Sequence, residues 1–175
     1  MRTFAIAATG KDRPGIVAAV TGVLLRHGVN IEDGEMAILR GHFTLVLVVG
    51  VPDDADADAL RRDLGDVRDE LPLESLSLSE VDTLTARTPS ATHAMSIYGA
   101  DHPGIVHGIT RALADVGVNV IGLTTRVVGD DGLYVMLLEA AVPEDRTDEI
   151  EDLLTDVAAE LGVDVSVREI DVDVL

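Results

Sequence analysis

"DRPGIVAAVTGVLLRHGVNI" (Asp12–Ile31) is answered 89 positions later by "DHPGIVHGITRALADVGVNV" (Asp101–Val120). Ten of the twenty aligned residues are identical, and most of the rest are like-for-like exchanges. Further on, "FTLVLVVGVP" (Phe43–Pro52) faces "YVMLLEAAVP" (Tyr134–Pro143) at an offset of 91, so the second copy carries two extra residues, which "VVGDDG" (Val127–Gly132) can hold as a longer turn. A period of half the chain is too long for a solenoid and implies two homologous domains.

Each copy reads β-α-β-β-α-β. "RTFAIAATG" alternates as a strand, with Phe4, Ile6 and Ala8 on one side and small residues on the other. Asp12 is placed to cap a helix and Pro14 to sit in its first turn. Ile16, Val20 and Leu24 recur every four residues, and Gly28 suits the helix end. "NIEDGEMAILRG" and "HFTLVLVVGV" read as strands around a turn near Arg40–His42. Leu60, Leu64, Val67 and Leu71 form the buried stripe of an acidic-capped helix, and "LESLSLSEV" closes the unit as a strand. The second copy follows suit: strand Ala94–Gly99, helix Pro103–Val116, strands Asn119–Val128 and Leu133–Val142, a helix from about Glu144 to Leu161, and strand Asp164–Val172.

The expected boundaries are residues 1–81 for the first domain, a polar linker over 82–92 ("DTLTARTPSAT"), and 93–175 for the second. Right-handed crossovers turn each unit into an antiparallel four-stranded sheet with two helices on one face. The fold class is α+β, two ferredoxin-like units in tandem. The small apolar first strand and first helix would leave sticky edges if unpaired, so the two sheets are expected to join into one of eight strands, within a chain or between chains. Ile38, Leu45, Leu47, Met136 and Leu138 are read as apolar residues on the sheet face away from the helices. They argue for a homodimer or larger homo-oligomer.

Composition narrows the function. The chain has no cysteine, which excludes disulfides, thiolate metal sites and cysteine nucleophiles. Its formal charge of −19 repels nucleic acid. The two central strands carry one aromatic residue each, too few to stack bases as an RNA-recognition sheet does. Twelve Arg and one Lys stand against 21 Asp and 11 Glu. Such a surface suits a salt-rich cytoplasm, where charge repulsion is screened, in preference to the alternative of an ordinary acidic protein of a GC-rich genome. No apolar run is long enough to cross a membrane, and a cytoplasmic location is expected. His102 and His107 are five residues apart, off the spacing for a helical metal site. "DDADAD" (Asp53–Asp58) lacks the glycine and the terminal Glu of a calcium loop. No phosphate-binding or nucleophile-elbow motif is present, and no nucleophile has a base beside it. Neither catalysis nor a cofactor is expected.

What remains is the repeated loop. A strand ends and Asp-x-Pro-Gly opens a helix, where unpaired N–H groups favour a carboxylate. Asp12 or Asp101 can accept from an ammonium group, and Asn30 or Asn119 offers both a donor and an acceptor. That set suits a free amino acid. The same residues equally suit a purely structural turn.

The motif "DRPGIV…GVNIED" on tandem units of this topology resembles ACT domains, small regulatory modules that bind amino acids. The resemblance spans Phe4–Val81 and His93–Val172. Within that family, Ala8–Val49 is similar to the first domain of the glycine cleavage system transcriptional repressors, and "DRPGIV" also resembles the ACT segment of formyltetrahydrofolate deformylases, without the hydrolase domain. The resemblance implies side-by-side pairing, with ligands at the interface loops. The first implied site takes Asp12, Arg13, Pro14, Gly15 and Ile16 with Asn30 and Ile31. The second takes Asp101, His102, Pro103, Gly104 and Ile105 with Asn119 and Val120. It further implies an amino-acid ligand of the glycine or serine class, and a regulated protein partner rather than direct contact with nucleic acid. Arg13, a permanent cation, is expected to make the first site the stronger one, against a mostly neutral His102 in the second.

Overall fold

Phe4, Ile6, Ala8 and Gly10 are buried, while Thr3, Ala5, Ala7 and Thr9 between them are half-exposed. This alternation sets which face of the first sheet meets the helices. In the computed structural model, which describes residues 1–71, 73–82, 90–129 and 132–170, the chain divides into two compact units, Met1–Ala86 and Arg87–Leu175. The first unit runs β1 (Arg2–Lys11), α1 (Ile16–Arg26), β2 (Asn30–Leu39), β3 (His42–Val51), α2 (Ala57–Glu70) and β4 (Ser75–Glu80). The second runs β5 (His93–Ala100), α3 (Ile105–Asp115), β6 (Asn119–Val128), β7 (Leu133–Ala141), α4 (Thr147–Leu161) and β8 (Val163–Glu169), with a single 3₁₀ turn, Glu144–Arg146, ahead of α4. Each sheet is antiparallel and four-stranded, ordered β2-β3-β1-β4 and β6-β7-β5-β8. This is the ferredoxin-like architecture expected for each repeat. Residues 83–89 of the expected linker, and the last two of the strand expected to end at Val172, lie outside the described residues.

The topology corrects two expectations. The first strand of each unit is no edge: β1 lies between β3 and β4, and β5 between β7 and β8. The exposed edges belong to β2 and β6 on one side and β4 and β8 on the other. Each unit has a four-stranded sheet of its own. Leu45, Leu47, Met136 and Leu138 are buried in the helix-facing cores, against residues such as Ile16, Leu60 and Leu64 in the first unit and Ile105, Ile150 and Leu154 in the second. Val46 and Leu137, about half exposed, occupy the opposite face. A strand's faces swap with a one-residue shift, so an apolar run such as "FTLVLVVGV" does not reveal which of its two sets is inside.

Local chemistry accounts for the connections. Arg40 (φ 52°) and Gly41 (φ 83°) make a two-residue hairpin with both residues left-handed, the twist that antiparallel strands favour. The second copy bridges β6 and β7 with four residues, 129–132, which is where its two extra residues go. Asp56 caps α2 by accepting from the amides of Asp58 (2.9 Å) and Ala59 (3.0 Å). The amide bonds, that of Ala59 first, hold its carboxyl below the usual range. The acidic run is thus a helix start.

Gly10 and Gly99 are required by close approach rather than by φ. A Cβ on Gly10 would stand 3.2 Å from Leu73 Cα and 3.3 Å from Glu74 N, and one on Gly99 would stand 3.2 Å from Val163 Cα. By contrast, Gly65 inside α2 has open space around it. Gly10→Ala and Gly99→Ala should therefore each destabilise by about 1–3 kcal/mol through overpacking. Gly65→Ala should stabilise by about 1 kcal/mol through helix propensity. Urea unfolding in molar salt checks both signs, and equal effects at all three positions would refute the packing argument.

Candidate functional site

The helix following the repeated loop does not begin as expected. In both units the N-cap is the glycine, Gly15 (φ 100°) and Gly104 (φ 108°), and no side chain caps either helix. Asp12 and Asp101 are therefore not caps, and the prolines precede the first helical turn rather than lie in it. The first helical bonds run from Ala19 N to Gly15 O (2.9 Å) and from Gly108 N to Gly104 O (2.8 Å), so the amides ahead of them have no helical acceptor. A Cβ on either glycine would meet nothing. Backbone conformation, not space, keeps glycine there.

In the first unit, Asp12, Arg13, Pro14, Gly15 and Ile16 line a hollow of about 490 Å³, closed by Val17, Ala18 and Thr21 of α1, Met36 and Ile38 of β2, and Phe43 of β3. Asp12 and Arg13 are exposed. The amide of Asp12 donates to the Gly41 carbonyl at 2.9 Å, which ties the loop to the hairpin turn. Asn30 and Ile31 are not in this hollow. They line another, of about 590 Å³, near the far end of α1 with Leu24, Leu25 and Val29. The two hollows share only Ala18 and Thr21 of the helix. One unit thus brings together five of its seven expected site residues. Just beyond Ile31 the β2–β3 register shifts, a bulge repeated after Val120 in β6. It re-aims the strand start.

In the second unit, Asp101, His102, Pro103, Gly104 and Ile105 line a hollow of about 610 Å³ with Val106, His107, Thr125 and Tyr134. Asn119 and Val120 are not among its lining residues. His102 is not singly bonded as expected. Its Nδ1 lies 3.0 Å from the Pro103 carbonyl and its Nε2 lies 2.8 Å from the Leu161 carbonyl. Two carbonyls facing two ring nitrogens favour the imidazolium form, in which both donate. Its pKa is accordingly raised from 6.5, first by Pro103, then by Leu161, with the charge of Asp101 adding to them. Leu161 ends α4, whose last turn has no basic residue of its own, whereas α2 carries Arg68 there. Protonated, His102 complements that helix end.

Ten lining positions fall outside the expected site residues, among them Met36 and Phe43 in the first hollow and Thr125 and Tyr134 in the second. The repeat overlay held a signal for one pair, because it sets Tyr134 opposite Phe43. Tyr134 is 8% exposed, and its hydroxyl is buried without a hydrogen-bond partner. Burial first, and then the charge of Asp101, raise its pKa above the usual 10. Thr125, on the same hollow, offsets that rise in part, short of the geometry of a hydrogen bond. Among the described residues no cluster could hold a metal ion, and no helix is long and apolar enough to cross a membrane.

His102 carries a pH signature. A folded pKa above the unfolded value near 6.5 gives stability that is complete below about pH 6.5 and lost as pH rises through the folded pKa. The melting-temperature gap between the wild type and His102→Gln should be widest near pH 5.5 and shrink towards pH 8.5. Thermal melts across that range in molar salt measure it, and a gap independent of pH would show a neutral ring.

A family model described as "ACT domain" matches residues 2–75 and again 94–168. Phosphoserine phosphatase SerB2 of Mycobacterium tuberculosis is 32% identical over 166 residues, which cover 94% of this chain but only 40% of that enzyme. The crystal structure of an unknown protein from Galdieria sulphuraria superposes with a TM-score of 0.80 at 25% identity, covering 97% of this chain and 99% of that one. A solved structure described as a glycine cleavage system transcriptional repressor superposes with a TM-score of 0.76 at 18% identity, covering 97% of this chain and 98% of the other, a likeness of fold. The chain belongs to the ACT-domain family, with one domain in each repeat.

Proposed function

We propose that this chain is a non-catalytic regulatory protein that senses a small amino acid of the glycine or serine class and controls a transcription factor or metabolic enzyme through protein contact. One observation carries the reading: each unit sets an uncapped helix start beside an Asp, over a hollow of amino-acid size, and does so twice. The free amides suit a ligand carboxylate and the Asp suits its ammonium group. Similarity to a phosphoserine phosphatase that contains a matching stretch supports a readout through a partner. Asn30 lies at the far end of α1, whose eleven residues span about 16 Å. It joins the Asp12 loop only when a second ACT unit sets its own β2 start against that loop. The exposed apolar surface of α1 and the edge strand β2 supports such pairing: Leu25 is 81% exposed, and Met36 and Ile38 are each 49% exposed. The same surface supports a second reading, a ligand-free module for assembly.

A panel of amino acids separates the two. In molar salt, a sensor gains thermal stability with its ligand by mass action. Asp12→Ala should weaken binding about ten- to hundred-fold, the loss of a charged hydrogen bond of roughly 1.5–3 kcal/mol. If no amino acid stabilises the wild type, the assembly reading replaces the sensor. Pairing has its own test. Leu25→Asp should shift sedimentation in molar salt towards the monomer, with the charge of −19 screened. A wild type that sediments only as a monomer at high concentration would refute the pairing.

A further inference from the structure

The two hollows share a backbone but not a lining. Thr125 stands where the first unit has Met36, each lying across from the equivalent position of the neighbouring strand, Met136 and Leu45. Tyr134 stands where the first has Phe43, and His107 where it has Ala18. Beyond its loop, the first hollow is walled by Val17, Ala18, Met36, Ile38 and Phe43, with Thr21 the one polar side chain among them. The second sets His107, Thr125 and Tyr134 beside Val106, and one of these polar groups is costly. A buried hydroxyl with no partner loses its hydration and gains nothing in return. Tyr134 pays that penalty while phenylalanine serves at the same place in the other repeat.

From this difference we infer that the second hollow is a site for a small amine bearing a neutral hydrogen-bonding group, a hydroxyl or carboxamide, and that Tyr134 is the residue that selects it. The inference rests on the proposal that these loops bind amino acids. Asp101 receives the ammonium group. The Tyr134 hydroxyl, uncovered by rotation of the exposed Thr125, donates to the oxygen of the ligand side chain. His102 stays out of the ligand's reach chemically, because both of its nitrogens are committed to Pro103 and Leu161. A ligand with an anionic side chain is disfavoured by Asp101. The first hollow, with Met36, Ile38 and Phe43, favours an apolar side chain instead. A site built to hydrogen-bond a hydroxyl discriminates strongly against the analogue lacking it, because the site's own polar group is then left unpaired.

The test uses the full chain in molar salt, with serine against alanine and asparagine against leucine as matched probes, and aspartate as the charge control. Calorimetry should show serine preferred over alanine by about tenfold or more. Tyr134→Phe should erase that preference and should raise the melting temperature of the ligand-free protein, because it removes an unpaired buried hydroxyl. Phe43→Tyr should add a hydroxyl preference to the first hollow. Serine preference surviving in Tyr134→Phe would overturn the assignment of Tyr134 while leaving amino-acid sensing intact. So would a lower melting temperature for that variant, or a crystal structure in which one water stays on the hydroxyl with ligand present. If no probe shifts any form of the protein, sensing itself fails and this inference fails with it.

Discussion

Each unit depends on the burial of one face of its central strand. In β1 that face tapers towards the loop, from Phe4 through Ile6 and Ala8 to Gly10. The large residues fill the space beneath the helices. The glycine lets the start of β4 pass within touching distance, held by Glu74 N donating to Thr9 O at 2.9 Å. The loop leaves the sheet at this narrow end, so the place where the helix begins is fixed by packing rather than by a cap. The same taper recurs as Met95, Ile97 and Gly99. At its wide end His93, buried, replaces Phe4. Its two nitrogens meet Thr92 Oγ1 (2.9 Å) and Thr147 Oγ1 (3.1 Å), so the polar ring is satisfied where it stands.

A helix start set by packing is free to leave its amides unpaired. Where Asp56 caps α2, the amides are satisfied and the surface is inert. At Gly15 and Gly104 the left-handed turn brings the chain into the helix without a capping side chain, twice. Stability is thus forgone at the same place in both units, and a loop that gives up a cap of about 1 kcal/mol is a natural seat for a group that can serve as one.

The element order, the helix-facing stripes and the duplication were all legible in the sequence, because periodicity reports burial directly: Ile16, Val20 and Leu24 are buried as spaced, and so are Leu60, Leu64 and Val67. What could not be read depends on partners distant in sequence. Strand order made β1 central, and nothing within "RTFAIAATG" says which strands flank it. The inside of "FTLVLVVGV" could not be told from its outside, because both sets are apolar. The roles of Gly10 and Gly99 lie in contacts with Leu73 and Val163, more than sixty positions away. The loop residues were found by their repetition. The separation of Asn30 from Asp12 was not, because adjacency in a motif says little about the two ends of a helix.

The two copies also differ in what their loops are fastened to, and this bears on how a bound ligand could be read. The first loop hangs from the hairpin turn, through Asp12 N and Gly41 O. The second is fastened by His102 to the end of α4, whose own last turn has no basic residue. A ligand shifts a protein only by interacting differently with two of its states. In the first unit, the element placed to change with the loop is the β2–β3 turn, beside the exposed strand edge. In the second it is the end of α4, which His102 meets at the Leu161 carbonyl. Duplication followed by this divergence ties the same loop to a hairpin turn beside an edge strand in one repeat and to a helix end in the other.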